Sequence, residues 1–325
     1  MPLRSSIIAF FTVAIMVAAA AAFINTKRSA PSFAGSSVGQ TGQTAPRTKA
    51  EIDSLLTERL RTLSSRAGGI VGVAVIHVET GRAISIEGTR PLPLFSVFKL
   101  PLAIAVLKEV EGKRLLLEKK ILITPADVAP GSQFNLDLWR KSVERRVQEL
   151  LEVSIVRSDN TSSDKLLGLI GGPAVVTQWM RQMGFATIDI HTSTRAAAAN
   201  RSNPNTGSAD DLARLLVRLQ KGEMLLPANG EMLLDLMRRA KTGEKRLRGN
   251  LPPGTPVAEK TGTGEAGSNT NDVGLITLPD GKGHLAVAVL ISGSKLPAPA
   301  QEMVIAELAR AAYDAHLAPV AGDAR

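Results

Sequence analysis

Asp272-Val273-Gly274-Leu275-Ile276-Thr277-Leu278, then Pro279-Asp280-Gly281-Lys282-Gly283, then Leu285-Ala286-Val287-Ala288-Val289-Leu290-Ile291 read as an apolar run, a turn and a second apolar run. Short apolar runs divided by a cluster of Pro, Asp and Gly predict two antiparallel strands of one hairpin. Upstream, Val257 to Lys260 has the same strand character. At the far end of the domain, Ile70 to Val78 is a β-branched run broken by Glu79-Thr80-Gly81 and followed by Ala83 to Ile86, which predicts a second hairpin. Between these two strand regions, Phe98 to Arg239 supplies one helical pattern after another. One of these helices starts at Ser208, with Asp211 completing a capping box and Leu212, Leu215, Leu216 and Leu219 on a single stripe. Outside the strands lie a first helix, Glu51 to Ser64, with Ile52, Leu55, Leu56, Leu60 and Leu63 at helical spacing, and a last one from about Ala300 to Ala315. Strands at both ends with helices between them are satisfied by one antiparallel sheet flanked by helices, plus an all-helical lobe. The expected class is α+β, in one two-lobed domain over residues 49–318, followed by a short tail at 319–325.

The chain has 325 residues, 44% hydrophobic and 21% charged, enough to bury one large core or two smaller ones. It has no cysteine, which removes thiol nucleophiles, disulfides and cysteine metal sites, and only four histidines. A catalytic base is therefore expected among Lys, Asp and Glu. The net charge of +9 does not mark a nucleic-acid partner, because the basic residues are scattered and aromatic residues for base stacking make up only 3%. Solubility and attraction to an anionic envelope account for the charge.

Arg4 precedes the apolar run Ile7 to Ile24, whose end is rich in Ala. That pattern reads as an export signal over residues 1–24, placing the mature protein in the periplasm or outside the cell. The alternative is an uncleaved anchor, in which case the membrane is a partner. Asn25 to about Arg47 is rich in Ser, Gly, Thr and Pro without apolar periodicity, so residues 25–48 read as a flexible tether.

Three elements carry the chemistry. Ser96-Val97-Phe98-Lys99 lies where an extended segment with Pro91 and Pro93 gives way to a helix from Phe98 to Val110. A Ser at a helix start has backbone N–H groups and the helix dipole aimed at developing negative charge. Lys99, one turn on, shares its face, and an ammonium kept out of water loses pKa and becomes a base for the serine. The bare Ser-x-x-Lys pattern says little, since about one chance match is expected in a chain of this length. Ser162 to Lys165 and Ser292 to Lys295 match as well and read as solvated polar positions. The second element is Ser158-Asp159-Asn160, after the helical run Val147 to Val156. Its hydroxyl can pass a proton to a leaving nitrogen and its amide can bind a substrate amide, while the competing reading is a simple helix cap. The third is Lys260-Thr261-Gly262-Thr263 on a strand, where Lys and hydroxyls can hold a carboxylate and Gly262 permits close approach. The same letters at Lys241-Thr242-Gly243 follow the helix Met232 to Arg239 and read as a helix stop.

Taken in this order, the three elements resemble those of the class A serine β-lactamase family, within the superfamily that includes penicillin-binding proteins. Leu94 to Leu102 resembles that family's nucleophile helix, and Thr270-Asn271-Asp272-Val273-Gly274 and Leu278-Pro279-Asp280-Gly281 resemble its last strands and their turn. Thr242-Gly243 through Leu251-Pro252 to Lys260 resembles its approach to the Lys-Thr-Gly strand, and the likeness extends from about Glu51 to Ala315. The resemblance implies that Ser96 is acylated, with Lys99 as its activating partner. It further implies that Ser158 relays a proton to the lactam nitrogen and that Asn160 contacts the substrate side-chain amide. Lys260, Thr261, Gly262 and Thr263 would bind the substrate carboxylate, with the amides of Ser96 and Thr263 forming the oxyanion hole. No metal and no organic cofactor are implied. The implied partner is a small β-lactam or a cell-wall peptide-like substrate, acted on by a monomer, with no nucleic acid involved.

The sequence departs from the family at one place. The family's deacylating Glu has no counterpart, because no Glu lies between Glu152 and Glu223, and Thr194 stands near its position. A Thr hydroxyl has no useful basicity near neutral pH. Asp189 and Asp210 are taken as the nearest carboxylates. Three activities follow as expectations: β-lactam hydrolysis, a D,D-peptidase or esterase, and a penicillin-binding protein that is acylated without efficient turnover.

Overall fold

In the computed structural model the described residues are 47–200, 203–264 and 267–321. The expected export signal, nearly all of the tether and the last tail residues lie outside them. Among the described residues, no helix is long and apolar enough to cross a membrane.

The two predicted hairpins meet in one five-stranded sheet. Its order is Ala83–Ile86, Ile70–His77, His284–Ser292, Thr270–Thr277 and Val257–Thr263, with every neighbouring pair antiparallel. The turn between the last two strands in sequence closes through Leu278 N–H to Gly283 O (2.8 Å), with Asp280 and Gly281 both at positive φ (55° and 67°). Asp and Gly are the residues that tolerate that left-handed backbone.

Both faces of the sheet are covered, which is why the strands read as continuous apolar runs. Val73, Val75, Val287, Val289 and Ile291 pack with Leu56, Leu60, Leu63, Ile305 and Leu308 of the outer helices Lys49–Ser65 and Ala298–Leu317. The alternate positions Ala74, Ala286 and Ala288 face the other way, against a core that includes Leu212, Leu215 and Leu216 of the helix Ala209–Gln220. Small residues on that face let the helix approach closely. The same core continues into the helical lobe through Leu100 to Leu107, Leu150, Ile155, Leu166 and Phe185. The α+β reading therefore holds, and two small two-stranded sheets join it: Leu92–Pro93 with Thr206–Gly207, and Lys120–Ile123 with Val143–Arg146.

Four details refine or correct expectation. The strand character read from Val257 to Lys260 and the strand placement of Lys260 to Thr263 are one continuous strand, Val257–Thr263, because Thr261, Gly262 and Thr263 pair with Asp272, Asn271 and Thr270. The helix expected from Phe98 starts as a 3-10 turn, Phe95–Phe98, and is α-helical over Lys99–Glu111. At Ser208 only half of the capping box forms: the Ser208 side chain accepts from Asp211 N–H, but the Asp211 carboxylate is taken by Thr187 and Arg214. Finally, Ser162 is not solvated but fully buried, donating to Asp159 Oδ1 (2.7 Å).

Candidate active site

The nucleophile segment is fixed from both sides. Leu94 N–H donates to Asn205 O (2.8 Å), and the Asn271 amide donates to Pro93 O (2.9 Å) and Leu94 O (3.1 Å). Between them and Ser96, Phe95 holds φ at 47°, a conformation that costs a non-glycine residue about 1 kcal/mol or more and persists only where its surroundings impose it. The kink sets Ser96 at the head of a helix whose residues Lys99 to Leu107 are all buried.

Lys99 is completely buried, and its Nζ donates to Ser96 Oγ (3.0 Å), Asn160 Oδ1 (2.7 Å) and Ser158 O (2.6 Å). Burial pulls its pKa down to about 7, against the pull of Asp159 and Asp164, which favour the ammonium. An amine poised near neutrality beside a serine hydroxyl is the arrangement a general base requires.

Ser158 also sits at positive φ (56°), in the corner between the helices Val147–Val156 and Asn160–Leu169. The helix-cap reading of Ser-Asp-Asn is realised, and by one residue of the three. Asp159 is the helix cap: fully buried, it accepts from Ser162 N–H (2.7 Å) and from Trp139 Nε1–H (3.2 Å). Ser158 and Asn160 are thereby free to face Lys99.

From the opposite side, Lys260 Nζ donates to Ser158 Oγ (2.9 Å) and Thr261 O (2.9 Å). Lys260 is fully buried, and its pKa is pushed well below the usual lysine value, first by burial and then by the charge of Lys99. Ser158 Oγ thus lies between two lysines whose ammonium forms are both disfavoured. Gly262 is required here for a steric reason: a Cβ would fall 2.4 Å from Leu94 O and 3.1 Å from Val97 N. The close approach expected at this glycine is to the nucleophile segment itself.

Ser96, Lys99, Ser158, Asn160 and Lys260 therefore form one connected hydrogen-bonded cluster at the edge of the sheet, with Thr261, Gly262 and Thr263 continuing the strand beside it. The chain matches the profile of the Beta-lactamase enzyme family over residues 55–316. It is 32% identical over 280 residues to the extended-spectrum β-lactamase PER-1 of Pseudomonas aeruginosa, covering 81% of this chain and 88% of that protein. The chain belongs to the β-lactamase enzyme family. A second similar protein is β-lactamase VEB-1, also of Pseudomonas aeruginosa, at 29% identity over 81% of this chain and 90% of the relative. Among solved structures, a β-lactamase from Chitinophaga pinensis superposes with a TM-score of 0.75 at 34% identity, covering 80% of this chain and 99% of the other. The TLA-3 extended-spectrum β-lactamase gives 0.76 at 30% identity, over 81% and 98%. The enzyme class is that of a β-lactamase-type hydrolase, as the sequence resemblance implied.

Two of the three lookalike matches differ in their surroundings from the motifs of this cluster. Lys165 is paired with Asp127 (2.6 Å), and Lys241-Thr242-Gly243 is not the helix stop expected of it: the helix Pro227–Arg238 is capped by Arg239, and Gly243, at φ 95°, lies in the loop beyond. Thr242 nevertheless touches the true strand, its Oγ1 lying 2.7 Å from Thr261 Oγ1.

Two residues were missed by the sequence reading. Arg246 lies almost wholly buried under the strand end. It donates to Thr263 Oγ1 (2.7 Å), Gly262 O (3.1 Å) and Asn271 O (2.9 Å), and to Glu302 Oε1 (3.1 Å). In the sequence it is only one of Lys241, Lys245, Arg246 and Arg248, the densest group among otherwise scattered basic residues. The other is Asp164, four residues after Asn160, whose carboxylate accepts from Thr194 and Arg195 and acts electrostatically on Lys99. The carboxylates expected to lie nearest are elsewhere. Asp189 is bound to Thr177 and paired with Arg181 and His191. Asp210 lies against Gly88 and Ser85, its pKa raised by burial.

Proposed function

We propose that this chain opens the β-lactam ring by acyl transfer to Ser96. The observation that carries the reading is the 3.0 Å contact between Ser96 Oγ and a buried Lys99 poised near neutrality. Neutral Lys99 takes the Ser96 proton as Oγ bonds to the lactam carbonyl carbon. The amides of Ser96 and Thr263 hold the oxyanion that results. As the C–N bond breaks, Ser158 Oγ protonates the ring nitrogen and is refilled from Lys99, so the proton taken from Ser96 ends on the product. Lys260, Thr261 and Thr263 bind the substrate carboxylate at the strand edge, with Gly262 bringing that edge to Ser96 and Arg246 adding positive charge beneath it. Asn160, held by Lys99 and by its own donation to Pro130 O (2.6 Å), presents its amide to the substrate side chain.

Export through the N-terminal segment, and action as a monomer in the periplasm or outside the cell, belong to the same proposal. A second reading, an acylated penicillin-binding protein with poor turnover, is favoured by Thr194 in place of a glutamate. Intact-mass measurement after adding benzylpenicillin, with turnover of a chromogenic cephalosporin in parallel, separates the two. Hydrolysis requires an adduct that forms and is lost while product accumulates. An adduct that persists for hours without turnover establishes the second reading.

A further inference from the structure

A carboxylate does reach the wall where the family glutamate is missing, but it comes from a helix instead of the loop. Asp164 lies one turn beyond Asn160 on the helix Asn160–Leu169, so the two share a face. Its Oδ1 accepts from the Thr194 hydroxyl (2.6 Å) and from Thr194 N–H (2.8 Å), and its Oδ2 accepts from Arg195 N–H (2.9 Å). Thr194 is tied back to the site residue Asn160, its Oγ1 lying 3.5 Å from Asn160 O. Asn160 Oδ1 in turn accepts from Lys99, which contacts Ser96.

Among the described residues, the other carboxylates considered for this wall are placed differently. Asp159 is sealed against Ser162 and Trp139 with no exposed surface, while Asp189 and Asp210 are engaged elsewhere. Asp164 and Thr194 are both only half-buried, so water has access to them. Because the Thr194 hydroxyl spends its proton on Asp164, its oxygen lone pairs are left to accept from a water molecule. A threonine alone is a poor base, but a threonine whose proton is already directed at a carboxylate can hand that proton on.

We propose that Thr194 and Asp164 form a hydroxyl–carboxylate relay that takes the proton from the water releasing the acyl group from Ser96. The inference rests on acylation of Ser96 as set out above. The water oxygen bonds to the acyl carbon, its proton passes to Thr194 Oγ1, and the proton of Thr194 passes to Asp164 Oδ1. The tetrahedral intermediate collapses with cleavage of the bond from carbon to Ser96 Oγ. The half-buried Asp164 gives its proton up to solvent and Ser96 Oγ recovers one from water in the opened site, leaving a free serine and a carboxylic acid product. Thr194 touches the reacting water, whereas Asp164 acts through it.

The test is single-turnover kinetics with benzylpenicillin, following formation and loss of the adduct by intact mass in wild type, Asp164→Asn, Thr194→Val and Thr194→Ser. The expected result is a separation of the two steps. In Asp164→Asn and Thr194→Val, adduct formation changes by less than about threefold while its loss slows by about 100-fold or more. Thr194→Ser, which keeps the hydroxyl, releases the adduct within about fivefold of wild type. A merely structural role for this wall would slow both steps together and would not be rescued by serine. Should Asp164→Asn unfold, Thr194→Val against Thr194→Ser decides the matter alone. Wild-type rates of release in Asp164→Asn and Thr194→Val, or a wild-type adduct stable for hours, overturn the relay and leave acylation standing. A wild type that takes up no penicillin overturns acylation at Ser96 and the relay with it.

Discussion

The two walls of the site are built differently. On one side, Ser96, Lys99 and Lys260 are locked into a helix start and a sheet edge, with both lysines fully buried, Lys99 donating to Ser96 (3.0 Å) and Lys260 to Ser158 (2.9 Å). On the other side, Thr194 at the start of the short helix Thr194–Ala199 meets Asp164 of the helix Asn160–Leu169, both half-buried, and Thr194 contacts Asn160, which reaches Lys99. In the mechanism we propose, bond formation to Ser96 depends on the first wall and release on the second. A rigid, dry wall can hold a lysine near neutrality, because desolvation is the main force acting on it. A wall that must deliver water cannot be sealed to the same degree. The proposed relay implies that a family member can keep one half-reaction's machinery intact while rebuilding the other's.

Variants sharpen this contrast in descending order of effect. Lys99→Met removes the base and lowers the acylation rate about 10³-fold, measured by stopped-flow with a chromogenic cephalosporin. In the wild type, acylation rises with pH through about 7 and then levels off: below that value Lys99 is an ammonium with no lone pair, and above it the amine is free. A rate flat across this range would mean that Lys99 is not the base. Gly262→Ala places a Cβ against Leu94 O and forces the strand away from the nucleophile segment. A displacement of this kind costs about 100-fold in acylation, with a lowered melting temperature as the second readout. Arg246→Ala removes a buried cation from beneath Thr263, and the apparent KM rises about tenfold with a smaller change in kcat. Asp189→Asn and Asp210→Asn belong to neither wall and leave both half-reactions within about twofold; a larger effect would redraw the boundary of the site.

Much of the fold was legible because both sheet faces are buried, so apolar continuity and Pro-Asp-Gly turns marked the strands without ambiguity. Their ends were less legible. The strand beginning at Val257 continues through Thr261 and Thr263, polar residues outside its apolar run, and the pairing with Thr270 to Asp272 fixes where it ends. Ser96 stood out by its place before an apolar helix, which the matches at Ser162 and Ser292 lack. Lys260 stood out by strand context, which Lys241 lacks. Asp164 left no such mark. A carboxylate on a polar helix turn looks like solvated surface, and its partner Thr194 is far away in sequence. Arg246 was hidden for the opposite reason, as a buried guanidinium inside what reads as a basic surface run. Both gain their meaning from contacts across the chain, which local pattern does not encode.

The central claim is that Ser96 is the residue acylated. Intact mass spectrometry of wild type and Ser96→Ala after brief exposure to benzylpenicillin, with peptide mapping of any adduct, tests it directly. The account predicts one penicilloyl group on the wild type, mapped to the peptide containing Ser96, and none on Ser96→Ala. An adduct of equal yield on Ser96→Ala, or one mapped to Ser158 or Ser162, would contradict it.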